Sequence, residues 1–246
     1  MKCKHCNCKD CVIKKGKTET GKQRYFCKKC GKTFVLEKIN RFYSEEFKKE
    51  AIRLYFEGNS SRAVGRILKI GKETCLRWIK TYANKIKPKK YKNERLEVME
   101  MDELYTFMSK KKTRLFLIIL LDRITRKIVG YDISYDKNHE TIQKIIDSSP
   151  KAKQYYSDGY TGYFNLNYHG GKYKSLNNKS QTHNIESVNS DFRKYIPFLQ
   201  RKSKCFPRSL ETFKAVFKVF CYIYNKFSSF KRKFSNLKNI CLINFI

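Results

Sequence analysis

Two closely spaced pairs of cysteines constrain the fold of the first 30 residues more than any other feature of the sequence. Each pair has the spacing C-x-x-C, which lets two thiolates point at one ion, and 20 residues separate the first pair, Cys3/Cys6, from the last pair, Cys27/Cys30. Four sulfur ligands favour a tetrahedral Zn²⁺ site. Because the basic hairpin between the pairs is too short to build a core of its own, we predict a zinc ribbon over residues 1–42.

A third C-x-x-C pair, Cys8 and Cys11, is a second candidate for the first two ligands of this site. Spacing alone does not choose between this pair and the first pair, whereas the last pair is the only candidate for the second half. The sequence has no secretion signal, so clustered cysteines are expected to bind a metal rather than form disulfides, and the pair left over is expected to be ordinary loop thiols. The remaining cysteines are interpreted as small buried hydrophobes: Cys75, Cys205, Cys221 and Cys241.

The charge of the chain predicts its partner. There are 55 Lys and Arg against 22 Asp and Glu, a net charge of +33, in a sequence whose 41% hydrophobic content is enough for a core. Because this excess exceeds what solubility requires, we expect nucleic acid as the partner. The longest apolar run, residues 115–121, is much shorter than the roughly 20 residues that span a bilayer. We therefore expect no membrane partner and a cytoplasmic, nucleoid-associated location.

Residues 43–84 have the pattern of three short helices. Ser44 caps the first helix, Gly58 stops it, and Gly71 lies in the turn before the third helix, which is expected to run from Lys72. This is the pattern of a helix-turn-helix DNA-binding domain, and a plain three-helix bundle is the alternative. The residues expected to face DNA are Lys72, Thr74 and Arg77.

Two further segments are basic. Residues 85–97 form a predicted linker that would gain affinity by displacing counterions from phosphates. Residues 229–246 mix basic and apolar residues in a tail without an assigned role. Residues 1–95 are predicted to bind the DNA of an element's end by themselves.

From residue 98 the pattern is three consecutive strands, a helix, a fourth strand and later helices, which is typical of an α/β layered domain over residues 98–228. Asp102 lies on the first strand, Asp158 ends the fourth, and Glu186 lies near the start of a late helix. Such carboxylates can converge on a pair of Mg²⁺ or Mn²⁺ ions. Taken by position alone, each is equally consistent with a solvated surface acid. Burial of acids in basic and apolar strands favours the metal site, because it costs several kcal/mol unless a cation compensates.

Other polar and aromatic residues receive simpler interpretations. Asp122 and Asp147 are interpreted as solvated acids, and the isolated histidines as surface or packing residues. The aromatic stretch of residues 213–230 is expected to be a helix that covers the sheet.

Taken together, these motifs resemble the DDE transposases of the insertion-sequence-one type from bacterial and archaeal mobile elements, over nearly the whole chain to about residue 227. The resemblance places Cys8 and Cys11 in a variable loop, so the zinc ligands it implies are Cys3, Cys6, Cys27 and Cys30.

The catalytic motifs of that family match D-E-L-x-T-F from Asp102, S-D-G-Y around Asp158 and H-N-I-E-S-V-N around Glu186. The resemblance implies an RNase H-like fold with these three acids as catalytic residues, and it places Arg193 against DNA. The sequence departs from the family at Ser187, where many relatives have a basic residue, and in the extra C-x-x-C pair.

The predicted function is a transposase that binds the inverted-repeat ends of an insertion sequence, cleaves them and joins the 3′ ends to target DNA by two-metal phosphoryl transfer. The alternatives are a metal-dependent nuclease without strand transfer and a non-catalytic DNA-binding regulator, although a regulator would not need three acids on an α/β scaffold. The partner is double-stranded DNA. Because joining requires paired ends, we expect at least a dimer on DNA.

Overall fold

The computed structural model describes residues 1–19, 21–36, 43–87, 95–110, 112–175, 181–201 and 204–227. The chain divides into two compact units, Met1–Ser44 and Glu45–Ile246. Most of the predicted linker, the predicted tail and Cys241 lie outside the described residues.

The first unit contains a small antiparallel sheet of three strands in the order β1-β2-β3. The strands are β1 (Val12–Lys17), β2 (Gln23–Cys27) and β3 (Thr33–Val35). Its core consists of Cys3, Cys27 and Phe34, with Tyr25 stacked on Phe34 at 5.9 Å between ring centroids. So few apolar side chains give little stabilisation, which is the situation in which small domains rely on a metal or a disulfide.

The second unit begins with three helices: α1 (Glu45–Phe56), α2 (Ser61–Ile67) and α3 (Thr74–Lys85). The hydroxyl of Ser60 accepts the N–H of Ala63 at 3.2 Å and caps α2. The third helix begins two residues later than the predicted Lys72. The N–H of Thr74 donates to the carbonyl of Gly71 at 2.9 Å, so a turn occupies the residues before it.

A five-stranded mixed sheet follows. Its strands and helices, in chain order, are β4 (Arg95–Phe107), β5 (Arg114–Asp122), β6 (Ile128–Ser134), α4 (His139–Ser148), β7 (Lys151–Ser157), β8 (Lys172–Ser175), α5 (His183–Tyr195) and α6 (Leu210–Phe227), with short 3-10 turns at Thr161–Tyr163 and Pro197–Leu199. The strand order is β6-β5-β4-β7-β8. The meander β4–β5–β6 is antiparallel, whereas α4 crosses over so that β7 and β8 run parallel to β4.

The two faces of the sheet are set by the alternation of side chains along β4. Met99 and Met101 point to the face covered by α4, where they pack with Ile142 and Ile146 in a buried cluster. Residues at even positions point to the face covered by α5, and Thr106 there donates its hydroxyl to the carbonyl of Phe198 at 2.7 Å. This alternation decides which acids of β4 meet α5.

Helix α6 covers the sheet, as expected for the aromatic stretch. Phe217 contacts Tyr131 of β6 at 4.9 Å and Phe192 of α5 at 5.1 Å between ring centroids. Helix α6 also packs against α3, and its Phe220 lies 5.7 Å from Phe56 of α1 between ring centroids. The predicted DNA-binding helices are therefore packed on the same unit as the sheet.

Asp122 is not a solvated acid, contrary to the interpretation of the sequence. It is 4% exposed, and its carboxylate accepts the N–H of Ile124 at 3.2 Å and the N–H and hydroxyl of Thr125. Asp122 thus closes the turn after β5. None of the helices in the described part of the chain is long and apolar enough to cross a membrane.

Candidate catalytic and metal sites

Three carboxylates meet where β4 and β7 lie side by side. Asp102 and Glu103 belong to β4, Asp158 directly follows β7, and one oxygen of each lies within 4.8 Å of the others. The parallel register pairs Glu100 with Tyr156, so the positions two residues further along, 102 and 158, are also neighbours. The structure thus brings together two of the three predicted acids and adds Glu103.

Helix α5 crosses β4 and presents one face to Asp102. Asn189 donates its side-chain N–H to Asp102 Oδ2 at 2.6 Å, and the charges of Glu186 and Arg193 both act on Asp102. The spacing of residues 186, 189 and 193 places them on one side of a helix. Glu186 is therefore beside the cluster, although it is outside the group of described acids that lie within 4.8 Å.

Asp102 is a half-buried carboxylate with other acids beside it. Burial and the charges of Glu103, Asp158 and Glu186 raise its pKa from 3.8 to about 7, against a hydrogen bond of 2.8 Å from the N–H of Glu103 to Oδ1 that lowers it. A divalent cation would relieve this repulsion, and carboxylate oxygens are the ligands that Mg²⁺ and Mn²⁺ prefer. The donor set therefore fits such an ion.

Glu103 differs from Asp102 in its partners, because adjacent strand residues point to opposite faces. One oxygen accepts a hydrogen bond from Tyr163 at 2.9 Å and the other pairs with Lys137. Lys137 lies 3.4 Å from the centroid of the Tyr160 ring, and the N–H of Tyr160 donates to Asp158 Oδ1 at 3.1 Å. Glu103 and Asp158, like Asp102, are thus each held by a neighbouring residue.

Glu100 is a polar residue of this site that the sequence analysis missed. It is fully buried, and it accepts from Arg123 Nε at 2.7 Å, from Asn184 Nδ2 at 2.8 Å and from the N–H of Ile185 at 2.8 Å. These bonds fix the first turn of α5 to β4, two residues from Asp102 and on the same face. Its position two residues before the predicted catalytic Asp102, on the same face of the strand, was the available signal.

The predicted DNA-facing residues come together at the start of α3. Lys72 lies in the turn before the helix, Thr74 is its first residue and Arg77 follows one turn later. Lys72 and Arg77 are exposed and Thr74 is half-buried. All three border one groove of the second unit. Arg193 lies apart from them, on α5 beside Asp102.

Four thiols gather in the first unit. The sulfurs of Cys3, Cys6, Cys27 and Cys30 lie within 4.8 Å of one another, with 3.7 Å between Cys3 and Cys30 and 3.6 Å between Cys6 and Cys27. Although burial opposes it, the N–H groups of His5 and Cys6 lower the pKa of Cys3 to about 6. Four sulfur donors at this separation fit Zn²⁺.

Cys8 and Cys11 are joined by a disulfide bond, with an S–S distance of 2.04 Å, and are not the loop thiols that the sequence suggested. The backbone turns at Asn7, whose φ is 55°, between the Cys3/Cys6 pair and the disulfide. Of the other cysteines, Cys75 and Cys221 are buried as expected and Cys205 is half-buried.

Residues 96–227, more than half of the chain, match the model of the IS1 transposase family. The chain belongs to that family. The resemblance inferred from the motifs is therefore confirmed. The match begins at the second residue of β4 and ends with α6, so this IS1-family region contains every acid of the cluster, Glu186 and Arg193.

Solved structures with some likeness to this IS1-family chain come from retroviral integration. The intasome of simian T-cell lymphotropic virus in complex with PP2A regulatory subunit B56 gamma is 11% identical, covers 69% of this chain and 68% of its own, and has a TM-score of 0.38. The HTLV-2 integrase catalytic core domain in complex with magnesium, in its trimeric form, is 12% identical, covers 50% of this chain and 84% of its own, and has a TM-score of 0.31.

Proposed function

We propose that this chain is a DNA transposase that cleaves the ends of its insertion sequence and joins the 3′ ends to target DNA, with Asp102, Asp158 and Glu186 as catalytic acids. The observation that carries the proposal is the cluster of carboxylates around Asp102, where burial and the neighbouring acids raise the pKa of Asp102 to about 7, within the region matched by the family. Membership of the family supports a DDE-type polynucleotidyl transferase. The mixed sheet supports the RNase H-like fold that the resemblance implies.

Asp102, Asp158 and Glu186 would hold the Mg²⁺ or Mn²⁺ ions. Held there, the ions would supply activation of the attacking oxygen and stabilisation of the leaving oxygen in a phosphoryl displacement. We favour Glu186 over Glu103 as the third ligand because Lys137 and Tyr163 already engage the two oxygens of Glu103.

The residues around the acids have positioning roles in this proposal. Asn189 and the N–H of Tyr160 orient Asp102 and Asp158. Arg193, on the same face of α5 as Glu186, would contact a DNA phosphate near the reacting bond.

In the first step a water oxygen bonds to the phosphorus at the element's end and the bond to the 3′ oxygen breaks, which leaves a 3′ hydroxyl. In the second step that 3′ oxygen bonds to a target phosphorus, the bond from this phosphorus to the 3′ oxygen of the target strand breaks, and the leaving oxygen takes up the proton that the attacking hydroxyl gives up. Neither step links DNA covalently to the protein.

The first unit would contribute to DNA binding. Cys3, Cys6, Cys27 and Cys30 are the ligands we propose for a structural Zn²⁺, and the exposed lysines of β1 give the ribbon a basic surface. The partner is double-stranded DNA at the element's ends and in the target, and we propose at least a dimer when two ends are paired.

The substitution Glu186→Gln tests the proposal, because it removes one charge from the acid cluster and keeps the size of the side chain. We expect cleavage and joining of a labelled element end to fall on the order of 100-fold or more, with DNA binding close to the parental level. Glu140→Gln is the matched control, since Glu140 lies in the first turn of α4 as Glu186 does in α5, and it is exposed.

Joining at the parental rate by Glu186→Gln would refute the catalytic assignment. Cleavage without joining in the parental protein would favour the nuclease alternative.

A further inference from the structure

A basic groove of about 860 Å³ lies within the second unit, between the start of α3 and the segment that leads into α6. One wall carries Arg62, Lys72 and Arg77, and the other carries Lys204 and Arg208. These five cations are exposed. Lys80 also borders the groove, but it pairs with Glu211 at 3.4 Å. Concentrated positive charge of this kind attracts a polyanion.

The second wall is fixed to the strand that carries the catalytic cluster. The N–H of Ser109, just past the end of β4, donates to the carbonyl of Pro207 at 2.9 Å. Phe206 packs edge-on against Phe107, the last residue of β4, with 5.9 Å between ring centroids. Phe107 is five residues beyond Asp102, about 17 Å along an extended strand. The groove thus lies within reach of the proposed active site.

The shape of the groove favours one strand over a duplex. A helix that reads duplex DNA projects its first turn into a major groove about 12 Å wide. Here the first turn of α3 instead faces a second protein wall. A volume of about 860 Å³ is that of a small-ligand site and suits a few nucleotides of one strand.

Phe206 supplies the second feature of a single-strand site. Its side chain is half-buried and borders the groove among the cations. Grooves that bind single-stranded nucleic acid combine positive charge along the backbone with aromatic rings on which bases stack. Both features occur here on walls held by main-chain and ring contacts.

We propose that this groove binds one unpaired DNA strand, with the five cations on its phosphates and Phe206 stacked on a base. The inference rests on the proposed function only in taking DNA as the substrate. Lys72, Thr74 and Arg77 then act on the sugar-phosphate backbone rather than on the base edges of a duplex.

Binding of fluorescein-labelled 30-nucleotide DNA of mixed sequence, as a single strand and as a duplex, to the full-length chain tests the proposal. For the double variant Lys204→Ala/Arg208→Ala we expect single-strand affinity to fall about tenfold. The slope of log affinity against log salt should lessen by about 1.4, because each phosphate that is no longer neutralised lowers it by about 0.7. Duplex affinity should change less than about twofold. Lys144→Ala/Lys172→Ala, two exposed lysines outside the groove, should leave both affinities unchanged.

The variant Phe206→Leu separates stacking from charge. Leucine retains an apolar contact with Phe107, so we expect a folded protein whose single-strand affinity falls about fivefold, with the salt slope unchanged. Unchanged single-strand affinity in the double variant, or an equal loss on the duplex, would overturn the proposal. The test measures binding and not catalysis, so a failure of the catalytic assignment would leave this result standing.

Discussion

At the scale of single residues, Asp102 is held where its charge is disfavoured. Its pKa of about 7 lies above the ordinary value of 3.8, because burial and three neighbouring acids oppose ionisation. Between these two pH values the folded protein binds more protons than the unfolded chain. The contribution of Asp102 to stability is therefore complete below about pH 4 and is lost as the pH rises through 7. The cluster that we propose for catalysis thus destabilises the metal-free fold.

Asp102→Asn should stabilise the metal-free protein at pH 8, since the amide cannot ionise. We expect a gain on the order of a few kcal/mol at pH 8 that shrinks toward pH 5. Asp147→Asn is the control, because hydrogen bonds from Gln143 and His169 lower the pKa of that exposed acid and no gain is expected at pH 8. Thermal unfolding in chelator measures the effect. Equal midpoints for Asp102→Asn and the parental protein at pH 8 would contradict it.

Glu100 differs from Asp102, because its buried carboxylate accepts hydrogen bonds from three donors rather than facing other acids. Glu100→Gln places an amide N–H against the donors of Arg123, Asn184 or Ile185. We expect the free energy of unfolding to fall by about 3 kcal/mol, the cost of breaking a buried pair. Glu97→Gln, on the same strand but in an exposed pair with Lys153, should cost less than about 0.5 kcal/mol. Guanidinium unfolding of both variants measures the two changes. Equal losses of unfolding free energy would show that the buried hydrogen bonds of Glu100 contribute no more stability than the exposed pair of Glu97.

At the scale of elements, the sequence predicts some parts of the sheet and of the acid cluster and misses others. The apolar runs of β4, β5 and β6 and the D-G end of β7 predict a sheet with Asp102 and Asp158 near each other. Strand β8 was missed because Lys172–Ser175 has no apolar run and pairs through its backbone with β7. Glu103 was missed because strand alternation places its side chain on the face opposite to Asp102. Its closeness to Asp102 and Asp158 depends on the local geometry of the strand. Contacts between distant elements, such as Glu100 with α5, are absent from any local pattern.

The first unit offers a test of which cysteine pair completes the metal site. Cys6→Ser removes one sulfur of the cluster and should abolish bound Zn²⁺, whereas Cys8→Ser breaks only the disulfide and should keep about one Zn²⁺ per chain. Atomic absorption of the purified variants measures the metal. Loss of zinc in Cys8→Ser with retention in Cys6→Ser would reverse the assignment.

At the scale of the whole molecule, the three helices and the sheet share one core. Tyr55 is fully buried and lies 6.2 Å from Phe198, and Phe56, 3% exposed, contacts Phe220 of α6. Residues 1–95 include the three helices but lack α6. The sequence analysis predicted that this fragment binds DNA by itself. In the structure, α1 and α3 contact α6, which begins more than 120 residues after the end of α3.

A fragment of residues 43–87 should therefore fail to fold as a cooperative unit. Cutting after α3 exposes Tyr55 and Phe56, and the loss of each buried side chain lowers the free energy of unfolding by about 1.5–3 kcal/mol. This loss is a large part of the stability that a helical segment of this size can reach. A fragment of residues 43–227 retains α6 and should unfold in one transition close to that of the intact chain. Circular dichroism melts of the two fragments test this. If residues 43–87 melt cooperatively at the temperature of the longer fragment, α6 is dispensable and the helices form an independent domain.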